Sequence, residues 1–149
     1  MLTIQFQVRF APALANKPRA RKPSQSNQHN PFEKPAEGLL IPGMLPFHNV
    51  ILNKFPIIPD HFILATKQFH EQTHLLEPDD LVATYECVRA YADHGKALFG
   101  FFNSGEHSGA SQRHRHIQFL PVEAMRNGIA SDSQWTVLAD CLVQHPPTG

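Results

Sequence analysis

The chain has 149 residues, 42% of them hydrophobic, which suits one compact domain with a core of ordinary size. Lys plus Arg and Asp plus Glu both number 13, so the formal net charge is zero and nothing argues for bulk attraction to nucleic acid or an anionic membrane. No apolar run approaches the length of a membrane span, and Cys87 and Cys141 form neither a CxxC pair nor a disulfide framework, so the expected location is a reducing one, the cytoplasm with the nucleus second.

The amino terminus carries Arg9, Lys17, Arg19, Arg21 and Lys22 but no acidic residue before Glu33, the composition of a transit peptide. Against that, Leu2, Ile4, Phe6, Val8 and Phe10 alternate with Thr3, Gln5, Gln7 and Arg9, which is the period of a strand and not of an amphipathic helix. Residues 1–16 are therefore predicted to hold an amino-terminal strand. "KPRARKPSQSNQHNPFEKP", residues 17–35, is rich in Pro, Ser, Asn and Gln without an apolar period, and reads as an exposed linker.

A core is predicted over residues 36–121. "NVILNKF" from about Asn49 and "HFILAT", His61 to Thr66, read as strands separated by the Pro56 and Pro59 turn. "EPDDLVATYECVRAYADHG" has Pro78, Asp79 and Asp80 at its start and Gly95 at its end, the punctuation of a helix. Its apolar stripe is Leu81, Tyr85, Val88 and Tyr91 or Ala92. "ALFGFFN" and "RHIQFLP" supply two more strands, and in the tail, residues 122–149, "SQWTVLADCLVQ" predicts a short helix. Strand–strand–helix–strand–strand is an α+β order: an antiparallel sheet with a helix packed on one face.

The chemistry concentrates in "SGASQRHRHIQF", Ser108 to Phe119. On a strand, His114, His116 and Gln118 share one face. Three readings compete. The face meets only water, as on many half-exposed strands. It chelates zinc, although a third ligand would need His107 or Glu106 to fold back. Or an imidazole acts as nucleophile, which requires an acceptor on its second nitrogen and donors around the phosphate oxygens. The preceding "NSGEHSGASQ" supplies such donors. Gly105, Gly109, Ala110 and Ser111 let backbone N–H groups approach an anion, Asn103 and Gln112 add amides, and Ser108 and Ser111 add hydroxyls. A small-residue loop feeding directly into His-x-His-x-Gln favours the third reading.

"NSGEHSGASQRHRHIQFLP", "ILNKFPIIPDHFILATKQF" and "FQVRFAPALANKP" together resemble the diadenosine tetraphosphate phosphorylases (ATP adenylyltransferases) of the histidine triad superfamily, almost continuously from Phe6 to Pro121. Gln118 stands where a full triad has its third histidine, which marks the nucleotidyltransferase branch that includes the galactose-1-phosphate uridylyltransferases. The resemblance implies a histidine triad-like fold with His116 as nucleophile and His114 in support. It implies that Gln118 contacts the transferred phosphate, that Gly109, Ala110, Ser111 and Gln112 form a phosphate-binding loop, and that Asn103 contacts substrate. Asn53 and Lys54 match a nucleotide-contacting pair, and Lys17 a lysine that reaches the polyphosphate. The bland alternatives are that both lysines are merely solvated and that Asn53 caps a strand end.

The implied reaction is phosphorolysis of diadenosine polyphosphates. The histidine takes an adenylyl group and releases ATP, and inorganic phosphate then carries that group away as ADP. No resident metal or tightly bound cofactor is implied, only a divalent cation such as Mg2+ travelling with the nucleotide. The second reading is a module that holds dinucleotides without turnover. Members of the resembled family are longer at both ends, so this chain is expected to be partial and to self-associate through the face its missing portion would cover.

Overall fold

The structure, a computed structural model, describes residues 6–12, 30–105 and 107–144. Its elements are β1 (Leu40–Ile41), β2 (His48–Leu52), β3 (Phe62–Thr66), α1 (Pro78–Ala92), β4 (Leu98–Phe101), β5 (His116–Pro121), α2 (Val122–Met125) and α3 (Leu138–Gln144). The strands form one sheet in the order β1-β2-β3-β5-β4, with every neighbouring pair antiparallel. This is the expected α+β architecture. The two-residue β1 and the single-turn α2 are additions that short apolar runs do not announce.

Helix α1 lies on one face of the sheet, where Ala83 and Cys87 pack with Val50, Phe62, Leu64, Ile117 and Phe119. Burial raises the Cys87 thiol pKa to about 11, so this sulfur is a core atom and not a reactive one. Phe119 is wholly buried and stacks on Phe62 with ring centroids 5.0 Å apart. Its register partner on β4 is Gly100. A Cβ at that glycine would stand 2.9 Å from the Phe119 ring, so the bare backbone makes room for it.

The helix is rotated from the expected orientation. Leu81, Tyr85 and Val88 face outward at 56%, 63% and 37% exposure, while Asp80, Ala83 and Cys87 face the sheet; of the expected stripe only Tyr91 packs on the core, stacked on Phe62. The cause is Asp80, which is drawn inward by two cationic or polar partners described below. Pro78 occupies the first turn, and a reciprocal capping box between Glu77 and Asp80 satisfies the helix start.

The amino-terminal expectation also needs correction. Residues 2–5 lie outside the described residues, but Phe6–Phe10 form no strand, and Phe6, Val8 and Phe10 are almost fully exposed. It is the polar set that docks. Arg9 Nη2 donates to the carbonyls of Met125 at 2.7 Å and Asn127 at 2.9 Å, satisfying acceptors left over where α2 ends. Most of the expected linker, residues 17–29, lies outside the described residues. Its end is packed rather than exposed: Phe32 is buried with Ile51 and Ala65 on the sheet face opposite α1.

Candidate active site

That opposite face carries the site. Pairing of Ala65 with His116 and of Ile63 with Gln118 fixes the β5 register, so His116 and Gln118 project to the side away from α1. Ile117 and Phe119 project into the core between them. His114 precedes the strand and makes only an isolated bridge with Glu71. Its ring and that of His116 both contact Phe32, at centroid distances of 6.0 and 4.8 Å.

The hydrogen bonds assign both imidazole tautomers, because a carbonyl can only accept. His114 Nε2 is 3.1 Å from the Gln68 carbonyl and 2.9 Å from Thr66 Oγ1, so it carries the proton. His114 Nδ1 then accepts from Asn30 Nδ2 at 2.7 Å, and Asn30 Oδ1 accepts from Phe32 N–H at 3.1 Å. Both His114 nitrogens are engaged, so this ring offers no uncommitted lone pair. His116 Nδ1–H donates to the His114 carbonyl at 2.8 Å, which leaves the lone pair on Nε2. Burial holds the His116 pKa below its ordinary 6.5, partly offset by that hydrogen bond. At neutral pH the ring is therefore uncharged, the state a nucleophile needs.

His116 lines a cavity of about 560 Å³ together with Gln118, Asn53, Asn103, Gly109 and Ser111. Six of the expected site residues thus meet in one space. Gly109 adopts a positive φ of 82° at its rim, a backbone state few residues but glycine adopt readily. Ala110 is half-buried and does not line the cavity. Gln112 lines a neighbouring hollow of about 400 Å³ with Asn30 and His114, and Ser111 lines both. Asn53 both lines the cavity and caps the β2–β3 turn, where Oδ1 accepts from Phe55 N–H at 2.9 Å. Lys54 is exposed outside the cavity, with its ammonium 5.6 Å from the Phe55 ring centre. Lys17 lies outside the described residues. Among the described residues, no three His, Cys, Asp or Glu side chains converge as a metal site.

Three contributors went unseen in the sequence. Asn30 and Phe32 come from the stretch expected to be linker, and the lone aromatic after Asn-Pro was the available signal. Gln72, 3% exposed, bonds the backbone on either side of the site without any motif to announce it. A further finding lies beneath His114 and His116. The residue between them, Arg115, is buried; its Nη1 donates to Asp80 at 2.9 Å and forms an ion pair with Glu77 across 3.0 Å. Asp80 also meets His48 Nε2 at 2.8 Å. Burial alone would raise the Asp80 pKa, but the Glu77 N–H, His48 and Arg115 outweigh it and hold the carboxyl below its ordinary 3.8. The helix start is thereby bolted to the strand that carries the motif.

Residues 2–133 match the family described as Ap4A phosphorylase N-terminal domain. The chain belongs to that family. The Ap4A phosphorylase match runs past Pro121, where the resemblance read from the motifs ended. Diadenosine 5',5'''-P1,P4-tetraphosphate phosphorylase 2 of Saccharomyces cerevisiae is 37% identical over 129 residues, covering 80% of this chain and 40% of the relative. Protein APA1 of the same yeast is 34% identical over 127 residues, covering 80% and 39%. Among solved structures, yeast Ap4A phosphorylase Apa2 in complex with Ap4A superposes at a TM-score of 0.65 and 26% identity, over 91% of this chain and 42% of that one. The same enzyme with AMP gives 0.61 and 30%, over 75% and 38%. The chain thus spans about two fifths of the length of these relatives.

Proposed function

We propose that the protein is a nucleotidyltransferase that cleaves diadenosine tetraphosphate by phosphorolysis, with His116 as the nucleophile. The observation that carries this reading is the bond from His116 Nδ1–H to the His114 carbonyl, which leaves Nε2 unprotonated on a ring that lines the cavity. Family membership and the Ap4A complex of a related enzyme support the substrate class.

In the first step Nε2 attacks the phosphorus next to one adenosine. The N–P bond forms as the bond to the bridging oxygen breaks, and ATP departs with that oxygen. The imidazole becomes cationic in the adduct, and the His114 carbonyl stabilises it through Nδ1–H. Gln118, Asn103 and the Gly109 and Ser111 backbone provide donors around the phosphate oxygens. In the second step an oxygen of inorganic phosphate attacks the same phosphorus, the N–P bond breaks, ADP leaves and neutral His116 returns. Gln118 cannot act as acid or base, which suits an acceptor that is already a competent nucleophile.

Incubation with diadenosine tetraphosphate and no phosphate should place one adenylyl group on the protein, stable to base and labile to acid. His116→Ala should abolish it. An adduct on another residue would overturn the assignment, while nucleotide binding without any adduct would favour the binding module. With phosphate present, ATP and ADP should accumulate; AMP and ATP as the main products would make the protein a hydrolase.

A further inference from the structure

We propose that Gln72 is a positioning residue that wedges strands β4 and β5 apart at the nucleophile, and so creates the mouth of the cavity. Pairing of Phe99 with Leu120 and of Phe101 with Gln118 would, one step further, set Asn103 opposite His116. That pair does not form, because β4 ends at Phe101. The Gln72 side-chain amide stands in its place. Its Oε1 accepts from His116 N–H at 2.7 Å, and its Nε2 donates to the His116 carbonyl at 3.1 Å and to the Asn103 carbonyl at 2.8 Å.

A primary amide offers a C=O and an N–H side by side, as a neighbouring peptide unit would. Gln72 therefore satisfies both backbone groups of His116 while holding the opposite chain one side chain's width away. Its own backbone is anchored, with Gln72 N–H donating to the Arg113 carbonyl at 2.8 Å. Without the wedge, an extended ladder would bring Asn103 against His116 and narrow the space that both residues now line. The amide touches no reacting atom. It sets the distance from the nucleophile to Asn103 and to the loop that begins there.

The proposal rests on His116 being the nucleophile, and its test separates the two. Gln72→Glu keeps length and the acceptor for His116 N–H but loses both donor contacts; Gln72→Met keeps volume and loses all three. In folded variants the single-turnover rate of adenylyl transfer from diadenosine tetraphosphate should fall by up to about a hundredfold, the cost of an ångström-scale misplacement. The rate should fall far more than AMP affinity does, a split that general loss of structure would not produce. Normal adenylylation in both folded variants would overturn the wedge. Should neither variant fold, nuclear magnetic resonance on the unaltered chain decides: the His116 amide and the two Gln72 side-chain protons should exchange as slowly as core amides. Rapid exchange of the Gln72 protons would overturn the proposal. A chain that shows this protection but never acquires an adduct would keep the wedge and lose the nucleophile.

Discussion

His116 Nδ1 lies 2.8 Å from the carbonyl oxygen of His114, two residues back in the same chain. The spacing of the motif is what makes this contact: the first histidine presents its backbone to the second and spends its own ring elsewhere. Both nitrogens of His114 are used by Asn30, Thr66 and Gln68. The first histidine is thus held at both ring nitrogens, while the second keeps an unprotonated Nε2.

Because burial lowers the His116 pKa, the ring becomes half-protonated only at some pH below 6.5. The second-order rate of adenylylation at low nucleotide should therefore hold steady through neutrality and decline only below pH 6.5. Such a profile reports the free protein's ionisations. A midpoint at or above 6.5 would show that the folded site does not disfavour the charged ring.

Asp80→Asn should destabilise the fold by about 3 kcal/mol at neutral pH, since it strips a buried guanidinium of its buried partner. The depressed carboxyl makes the sign definite. Its stabilisation is complete above the ordinary pKa of 3.8 and is lost as pH falls through the lower folded value. The gap between variant and parent in urea titrations should accordingly shrink below pH 3.8. A pH-independent gap would mean that charge at Asp80 is immaterial.

Gly100→Ala places a methyl 2.9 Å from the Phe119 ring. Overpacking of this kind costs about 1–3 kcal/mol. Because Phe119 follows Gln118 on β5, the adenylylation rate should drop with the melting temperature. A variant as stable as the parent would show that the ring has room to yield.

Lys54 stands beside the cavity and not in its lining, so its reach toward a polyphosphate is through an exposed ammonium. Lys54→Ala should weaken dinucleotide binding by about 1 kcal/mol at low salt, and the difference should fade as salt rises. Equal affinities at low salt would leave Lys54 as a solvated side chain.

Local patterning made the sheet, α1 and the His-x-His-x-Gln face legible, because apolar period and Gly or Pro punctuation act over a few residues. What it misplaced was decided at a distance. Hydropathy assigns Asp80 to water, yet His48 and Arg115 draw it inward, and the helix turns with it, leaving Leu81 and Tyr85 outside. The alternation of Phe6, Val8 and Phe10 finds no neighbouring strand among the described residues, while Arg9 finds the carbonyls after α2. Of the site, Asn53, Asn103, Gly109, Ser111, His116 and Gln118 meet as the motifs suggest. Gln72 was invisible because an amide's value depends on two backbones that only the fold brings near.

The contact between Phe32 and His116 bears on how the protein can be cut. Asn30 reaches His114 across 84 positions of sequence, and Phe32 lies against the His116 ring from the same upstream stretch. A recombinant piece starting at β1 would retain all five strands and α1, and would look well folded by circular dichroism. It would nonetheless present His116 to solvent and strip Nδ1 of His114 of its donor. The shortest fragment in which the chemistry can be assayed therefore starts no later than Asn30, ahead of any boundary that secondary structure would suggest.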